Sequence, residues 1–437
     1  MLIDMVRYLW KRNNLPGAMT LGSQLADLWI TELGRDHWQL LYLQSQLANV
    51  LRSQGDYEEA RKLDEEVLTR QRSAAAIGER HTHTWITAGG LAADLRALGR
   101  FREALAMDIE TYERLKDLLD EDNPRLLSIA NNLAVSFRLV GDCYSARDLD
   151  RSTLAARIAV LGSDYPDTLL SAAYLAQDLR EAGEFDASVS LLRETLKEYT
   201  KKLGDKTLDA LRMAKSLAVS LRRAGHRDEA LDQAKRTCAL YDQAFPGSPD
   251  AIAASLELAS CLSAVGEKHD ARDLATTILA AQRAKLGPVH PYTLAVATNL
   301  ASYLRGTEDA EAAYTLGHDA MRALTRLLGA EHPYALSCAV NVANCLGDLG
   351  RFAAAEELER ATLGLLREVL GPRHPDTLAC QSNLAITLRA MGRAAEAASL
   401  AEEAIRALQD TLGEGHPSVQ SVRDGVRLNR DLEPQPI

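Results

Sequence analysis

Two sets of side chains recur at a fixed spacing, and each suggests a kind of chemistry. His290, His332, His374 and His416 stand 42 residues apart, each ahead of a proline in Leu-Gly-x-x-His-Pro, and His81 and His83 flank a single threonine. Evenly spaced imidazoles invite a metal. Equivalent atoms of stacked repeats, however, lie roughly 10 Å apart because helices pack at that distance, whereas zinc ligands sit about 2 Å from the ion. The four histidines therefore cannot share one ion, and they are expected to cap helices and pack loops. The second set is made of guanidinium and carboxamide groups, Arg52, Arg96, Arg138, Arg180, Arg222, Arg305 and Arg389 together with Asn132, Asn299, Asn341 and Asn383. Cations and amides in rows can hold an extended, anionic peptide.

Such rows need a repeating frame, and the pattern L-R-x-x-G-x-x-x-x-A supplies it along the whole chain. Its turn position falls at Asn13, Gly55, Gly99, Gly141, Gly183, Gly225, Gly266, Glu308, Gly350 and Gly392, at intervals of 41 to 44 residues. Before each turn an apolar set such as Leu47-Ala48…Leu51 or Leu384-Ala385…Leu388 shares one face of a helix, helix A. After it, an alanine five residues on (Ala60, Ala104, Ala146, Ala230, Ala271, Ala355, Ala397) marks helix B, its small side chain admitting a close neighbour. In L-G-x-x-H-P the glycine suits the end of helix B and the proline the first turn of the next helix A. The expected fold is all-α, an α-solenoid of ten repeats over residues 1–437, closed by a capping helix at 418–432 and a disordered tail at 433–437.

Composition agrees. Apolar residues make up 46% and aromatics 5% of the 437 residues, the balance of stacked helices. Fifty Lys and Arg against sixty-one Asp and Glu leave a formal charge of -11, the wrong sign for a broad phosphate-binding face, so no nucleic-acid partner is expected. No apolar run is long enough to span a bilayer and no export signal opens the chain, which points to a cytoplasmic protein without membrane contact. The six cysteines, Cys143, Cys238, Cys261, Cys338, Cys345 and Cys380, sit in helical patterns with no CxxC pair and read as reduced core residues. No nucleophile, base and orienting acid fall in a known catalytic pattern, no Gly-x-x-x-x-Gly-Lys-Ser/Thr loop occurs, and neither an enzyme activity nor a cofactor is expected.

With a Leu-Ala-x-x-Leu helix, a glycine turn, a later alanine and the 42-residue L-G-x-x-H-P-x-T-L line, the chain resembles tetratricopeptide repeats of the kinesin light chain type. Tyr8-Leu9-Trp10, ARKLDEEVL at 60 to 68, FRLVGD at 137 to 142 and ARDLDRSTLAAR at 146 to 157 are similar to the FxSxx-COOH system proteins. Those are actinobacterial STAND or NB-ARC NTPases with a C-terminal repeat array. The resemblance implies a right-handed solenoid with helix A on the concave side, and an upstream NTPase domain of which this chain is the sensor array. Met1 falls inside the first helix A with no cap before it, in keeping with a preceding segment. Carboxylate-clamp members of the family hold a peptide's C-terminal carboxylate with Asn and basic residues; the Lys and Arg pair that such clamps place on one helix A is not found here.

Counting the alanine of Leu-Ala as position eight of helix A, the arginines fill position twelve, interrupted at Ser263 and Gly347, and the asparagines fill position six. The arginines could instead serve the scaffold, at the negative end of helix A and paired with helix B acids such as Asp64, Asp108 or Asp150. The asparagines could bond within the repeat. Trp10, Trp29, Trp38 and Trp85 cluster in the early repeats, as core or as a contact for a neighbouring domain or partner. The expected function is a protein- or peptide-binding module whose ligand carries an acidic or C-terminal carboxylate segment. The alternative is a scaffold for self-association or autoinhibition of an upstream NTPase domain.

Overall fold

The computed structural model describes residues 2–74, 77–305 and 309–434. They divide into two compact units, one running to Leu175 and one from Ala176. The first unit holds α1 (Leu2–Lys11), α2 (Leu15–Leu33), α3 (Trp38–Gln54), α4 (Tyr57–Ser73), α5 (Thr82–Ala97), α6 (Phe101–Lys116), α7 (Pro124–Leu139) and α8 (Cys143–Leu161). The division falls inside α9 (Pro166–Glu181). The second unit continues with α10 (Phe185–Leu203), α11 (Leu208–Arg223), α12 (Arg227–Ala244), α13 (Pro249–Ala264), α14 (Lys268–Leu286) and α15 (Pro291–Arg305). It ends with α16 (Ala310–Leu328), α17 (Pro333–Asp348), α18 (Phe352–Val369), α19 (Pro375–Ala390), α20 (Ala394–Leu412) and α21 (Pro417–Arg423). The architecture is an all-α solenoid of repeats, in which odd-numbered helices are helix A and even-numbered helices helix B.

Each described turn position from the sequence pattern closes its hairpin with positive φ, and Asn13, at 58°, is the sole non-glycine in that region among the described residues. An amide side chain tolerates the left-handed region better than most. The turn expected at Glu308 lies outside the described residues. The expected histidine caps are present: Nδ1 of His332, His374 and His416 accepts from the N–H two residues on, at 3.1 Å each. His81 caps α5 in the same way, while His83 packs on Tyr42 with ring centroids 4.4 Å apart.

Tight packing follows from the small residues. The seven helix B alanines that follow the turns are all 0% exposed, so a larger side chain there must push two helices apart, at about 1 to 3 kcal/mol. Successive helices pack in sequence order from α1 to α8 and from α10 to α21, and among the described residues second-neighbour contacts join A helices: α1 with α3, α3 with α5, α5 with α7, α11 with α13, α13 with α15, α15 with α17 and α17 with α19. In each unit, therefore, the A helices form the inner row of a curved stack. Five of the six cysteines are buried and none is bridged; burial pushes the Cys338 thiol up to about 12, which keeps it protonated.

The end of the chain departs from expectation. The capping helix stops at Arg423 instead of running to 432. Gly425 takes φ 69°, its N–H bonds Val422 and the Val426 N–H bonds Ser421. That is the paired 6→1 and 5→2 closure of a left-handed glycine stop, and Asp424-Gly425 encodes it. Residues 426–434 then leave the turn without helical structure, with Arg430, Leu432 and Pro434 buried in alternation with less buried neighbours. Glu433 and Pro434, placed in a disordered tail by the sequence reading, have defined partners, described next; 435–437 lie outside the described residues.

Candidate functional site

The second unit curls until distant repeats meet. Nδ1 of His374 accepts from Asp376, so the proton sits on Nε2, which donates to the Glu181 carbonyl at 3.0 Å, 193 residues away. His416 reaches the Arg223 carbonyl in the same way at 3.1 Å. Gly183 and Gly225 make these meetings possible, since a Cβ on either would lie 2.6 or 2.5 Å from Cδ of Pro375 or Pro417. Burial drives the His374 pKa down to about 3, so the imidazole stays neutral and keeps its caps in place.

Inside this coil, Asn299 of α15, Asn341 of α17 and Asn383 of α19 form a ladder. Asn383 donates to the Leu428 carbonyl (2.9 Å) and accepts from the Leu428 N–H (2.8 Å). Asn341 does the same for Arg430 (2.6 and 2.9 Å), and Asn299 for Leu432 (2.9 and 2.7 Å). An extended strand advances about 6.6 Å per two residues, less than the 8–10 Å between packed helix axes. The curved inner wall closes that difference, so one amide per repeat meets every second residue. Asn132, the fourth of the row, is half-buried on α7 in the first unit; beside it Asn131 bonds Asp150 and Ser171 at 2.6 and 2.8 Å.

Side chains flank the ladder. Arg222 of α11 binds Glu257 with two nitrogens (2.9 and 3.0 Å) and reaches Asp431 (3.1 Å) and Glu433 (2.7 Å). Arg180 and Arg223 each stand 3.9 Å from Glu433, and Arg305 bonds Asn429 at 2.7 Å. Burial works to raise the Glu433 pKa, but Arg223, Arg222 and Arg180 outweigh it and hold the carboxyl below its ordinary value. Tyr334 donates to the Glu433 carbonyl at 2.7 Å, and Lys215 to the Pro434 carbonyl at 3.2 Å. Burial depresses the Lys215 ammonium to about 8, against the pull of Asp250. Arg430 is paired with Asp376.

The arginine row divides by unit. In the first, Arg52 pairs with Asp94 (2.6 Å) and Asp64 (3.4 Å), Arg96 with Asp108, and Arg138 with Asp150 (3.5 Å), so all three are paired with acids of the scaffold. In the second, Arg180, Arg222 and Arg305 face the extended segment, and Arg389 stands exposed at the end of α19. Trp85 is core, fully buried with its indole N–H on the Glu79 carbonyl at 2.7 Å. Sequence reasoning missed Tyr334, Lys215, Arg223 and the segment 427–434 itself, whose alternation of Leu428, Arg430 and Leu432 was the available signal.

No protein of curated function matches the sequence. Among solved structures, a Rap protein complexed with competence and sporulation factor is similar over 86% of this chain and 99% of its own, with 12% identity and a TM-score of 0.62; it shares the fold. A kinesin light chain array of nearly identical TPR-like repeats from Podosopora anserina covers 47% of this chain and 97% of its own, at 22% identity and a TM-score of 0.37. BtubC from P. vanneervenii covers 56% and 92%, at 19% and 0.38. The tetratricopeptide repeat model matches residues 39–117, 82–159, 125–201, 167–243, 294–368 and 339–410. Those matches take in most of the described hairpins, and the chain belongs to the tetratricopeptide repeat family.

Proposed function

We propose that the second unit is a peptide-binding channel for a protein partner, and that it holds an extended, acidic segment by its backbone. The carrying observation is the register of the ladder, in which three asparagines one repeat apart each serve both backbone groups of every second residue. Such bonds are indifferent to side chains, so affinity comes from the ladder and selectivity from the flanking cations, Arg222, Arg180 and Arg223, which favour carboxylates at alternate positions. Residues 427–434 occupy the channel in cis. On this reading the array is non-catalytic, works in the cytoplasm, and recruits a partner segment that competes with its own tail.

The test uses the full chain with Asp431→Lys and Glu433→Lys, which set cations against cations and loosen the tail. A labelled RLNRDLEP peptide should bind this variant by fluorescence anisotropy and should lose that binding when Asn341→Ala is added. Absence of binding, or binding indifferent to Asn341, overturns the channel. A second reading, self-association or restraint of an upstream NTPase domain, is favoured by the apolar side chains exposed at the start of the first unit, Leu2 (44%), Met5 (50%), Tyr8 (57%) and Leu28 (53%). Sedimentation velocity over a range of concentrations decides it, because a strict monomer excludes self-association.

A further inference from the structure

The interruption of the arginine row at Gly347 has a counterpart in space. In the first unit each scaffold arginine stands three residues before the turn and meets an acid nine residues after it, Arg52 with Asp64, Arg96 with Asp108 and Arg138 with Asp150. A hydroxyl from the next helix A can complete the group: Ser136, five residues before its own turn, lies 3.1 Å from Arg96 and 2.6 Å from Asp108. The repeat that turns at Gly350 keeps the acid, Glu359, only 1% exposed, and the hydroxyl, Thr387 on α19, but has Gly347 where the arginine belongs.

The missing guanidinium comes from the extended segment. Arg427 bonds Glu359 at 2.8 Å, Thr387 Oγ1 at 2.8 Å and the Asn383 carbonyl at 3.4 Å, and a Cβ on Gly347 would overlap its guanidinium. The segment thus completes, from outside the repeat, the same three-part cluster that Arg96, Asp108 and Ser136 form internally. A buried carboxylate without a cation is strongly unfavourable. Burial accordingly pushes the Glu359 pKa up, with Arg427 opposing.

We propose that Gly347, Glu359 and Thr387 form an arginine pocket in the channel, filled in cis by Arg427 and in trans by an arginine of the partner segment, one residue before the first asparagine rung. This rests on the channel reading above. Together the two define the ligand as an extended chain with arginine at its start and acids four and six residues later, the spacing of Arg427 to Asp431 and Glu433. Arginine is favoured over lysine because two guanidinium nitrogens in fixed geometry serve three acceptors at once.

The test compares labelled RLNRDLEP with its Arg→Ala and Arg→Lys forms on the tail-loosened full chain, Asp431→Lys with Glu433→Lys. The pocket requires at least a 30-fold loss for the alanine peptide and about 10-fold for the lysine peptide. Adding Gly347→Arg, which restores the residue type that fits this register elsewhere in the array, should leave the chain folded and make the three peptides bind alike. Glu359→Gln, which keeps the volume and removes the charge, should also flatten the preference. In the chain with its native tail, Gly347→Arg should speed amide exchange at Leu428. Equal binding of the arginine and alanine peptides, with Asn341→Ala still abolishing it, overturns the pocket and leaves the channel standing. Loss of all dependence on Asn341 overturns both.

Discussion

Asn341→Ala isolates the ladder from the fold. Asn341 is 3% exposed and gives two hydrogen bonds to Arg430, at 2.6 and 2.9 Å. A net value of about 1 kcal/mol per bond makes the rung worth about 2 kcal/mol, a factor of about 30 in the docking equilibrium. Alanine is the better helix former by a few tenths of a kcal/mol, so the melting temperature should hold or rise while docking weakens. Native-state hydrogen exchange of the full chain reads both. The amides of Leu428, Arg430 and Leu432, whose acceptors are the three asparagines, should lose protection together by about 30-fold, while amides of α20 hold theirs. Asn341→Asp should cost more, because a carboxylate would then face the Arg430 carbonyl. A change confined to Arg430, or below threefold, refutes cooperative docking by the ladder.

The closing contact of the second unit gives a paired test. Gly183→Ala and Gly392→Ala both force a Cβ onto a left-handed residue (φ 84° and 81°), about 1 to 2 kcal/mol each. Only at Gly183 does that Cβ also meet Pro375, so urea unfolding should show a further loss of about 1 to 3 kcal/mol there. Acid should loosen the same unit through two groups. The His374 pKa is depressed from 6.5 to about 3 in the fold, so its contribution is whole above 6.5 and dwindles as pH falls toward 3, by at most about 5 kcal/mol. Glu433, also depressed, contributes fully above 4.5 and loses its share as pH falls through the lower docked value. Urea titrations should therefore show stability falling from pH 6.5 downward, and His374→Asn, which keeps a cap, should flatten the upper part of that slope. In the first unit, Asp108→Leu should cost about 3 to 5 kcal/mol by stranding buried Arg96, and the double change with Arg96→Met should recover most of it, as measured by thermal unfolding.

The hairpins were legible because their signals are local. A glycine that must take positive φ, an alanine at a helix contact and a histidine that caps the next helix each leave a mark at a fixed place in the 42-residue line. The asparagine row was legible in the same way, as one recurring place on helix A. Residues 424–432 were misread as helix because Ser418 to Leu432 is polar enough to pass for a closing helix, and the stop at Asp424-Gly425 was overlooked. Nor could register along one repeat reveal that Glu181 and His374, 193 residues apart, touch, or that Arg427 bonds Glu359, 68 residues upstream. Curvature accumulated over several repeats decides those meetings, and no single line of sequence carries it.

One comparison within the line accounts for where most of the arginines find an acid. Where the ninth residue after the turn is an acid, as at Asp64, Asp108 and Asp150, the arginine twelve residues earlier pairs with it, Arg52 also reaching Asp94 of the next repeat. At Arg180 and Arg222 that place is held by Leu192 and Ala234, both buried. Helix B then offers no carboxylate at that place, and the partners come from elsewhere: Glu181 (3.1 Å) and Glu433 (3.9 Å) for Arg180, and Glu257 (2.9 Å), Glu433 (2.7 Å) and Asp431 (3.1 Å) for Arg222. Arg305, opposite Gly317, likewise finds its partners in Asp348 and Asn429. Glu359 is the inverse case, an acid whose repeat has Gly347 in place of the arginine three residues before the turn. The same balance of buried charge thus pairs one unit's arginines with acids of their own repeats, pairs the other unit's with acids further off, and leaves Glu359 to be met by Arg427 of the extended segment.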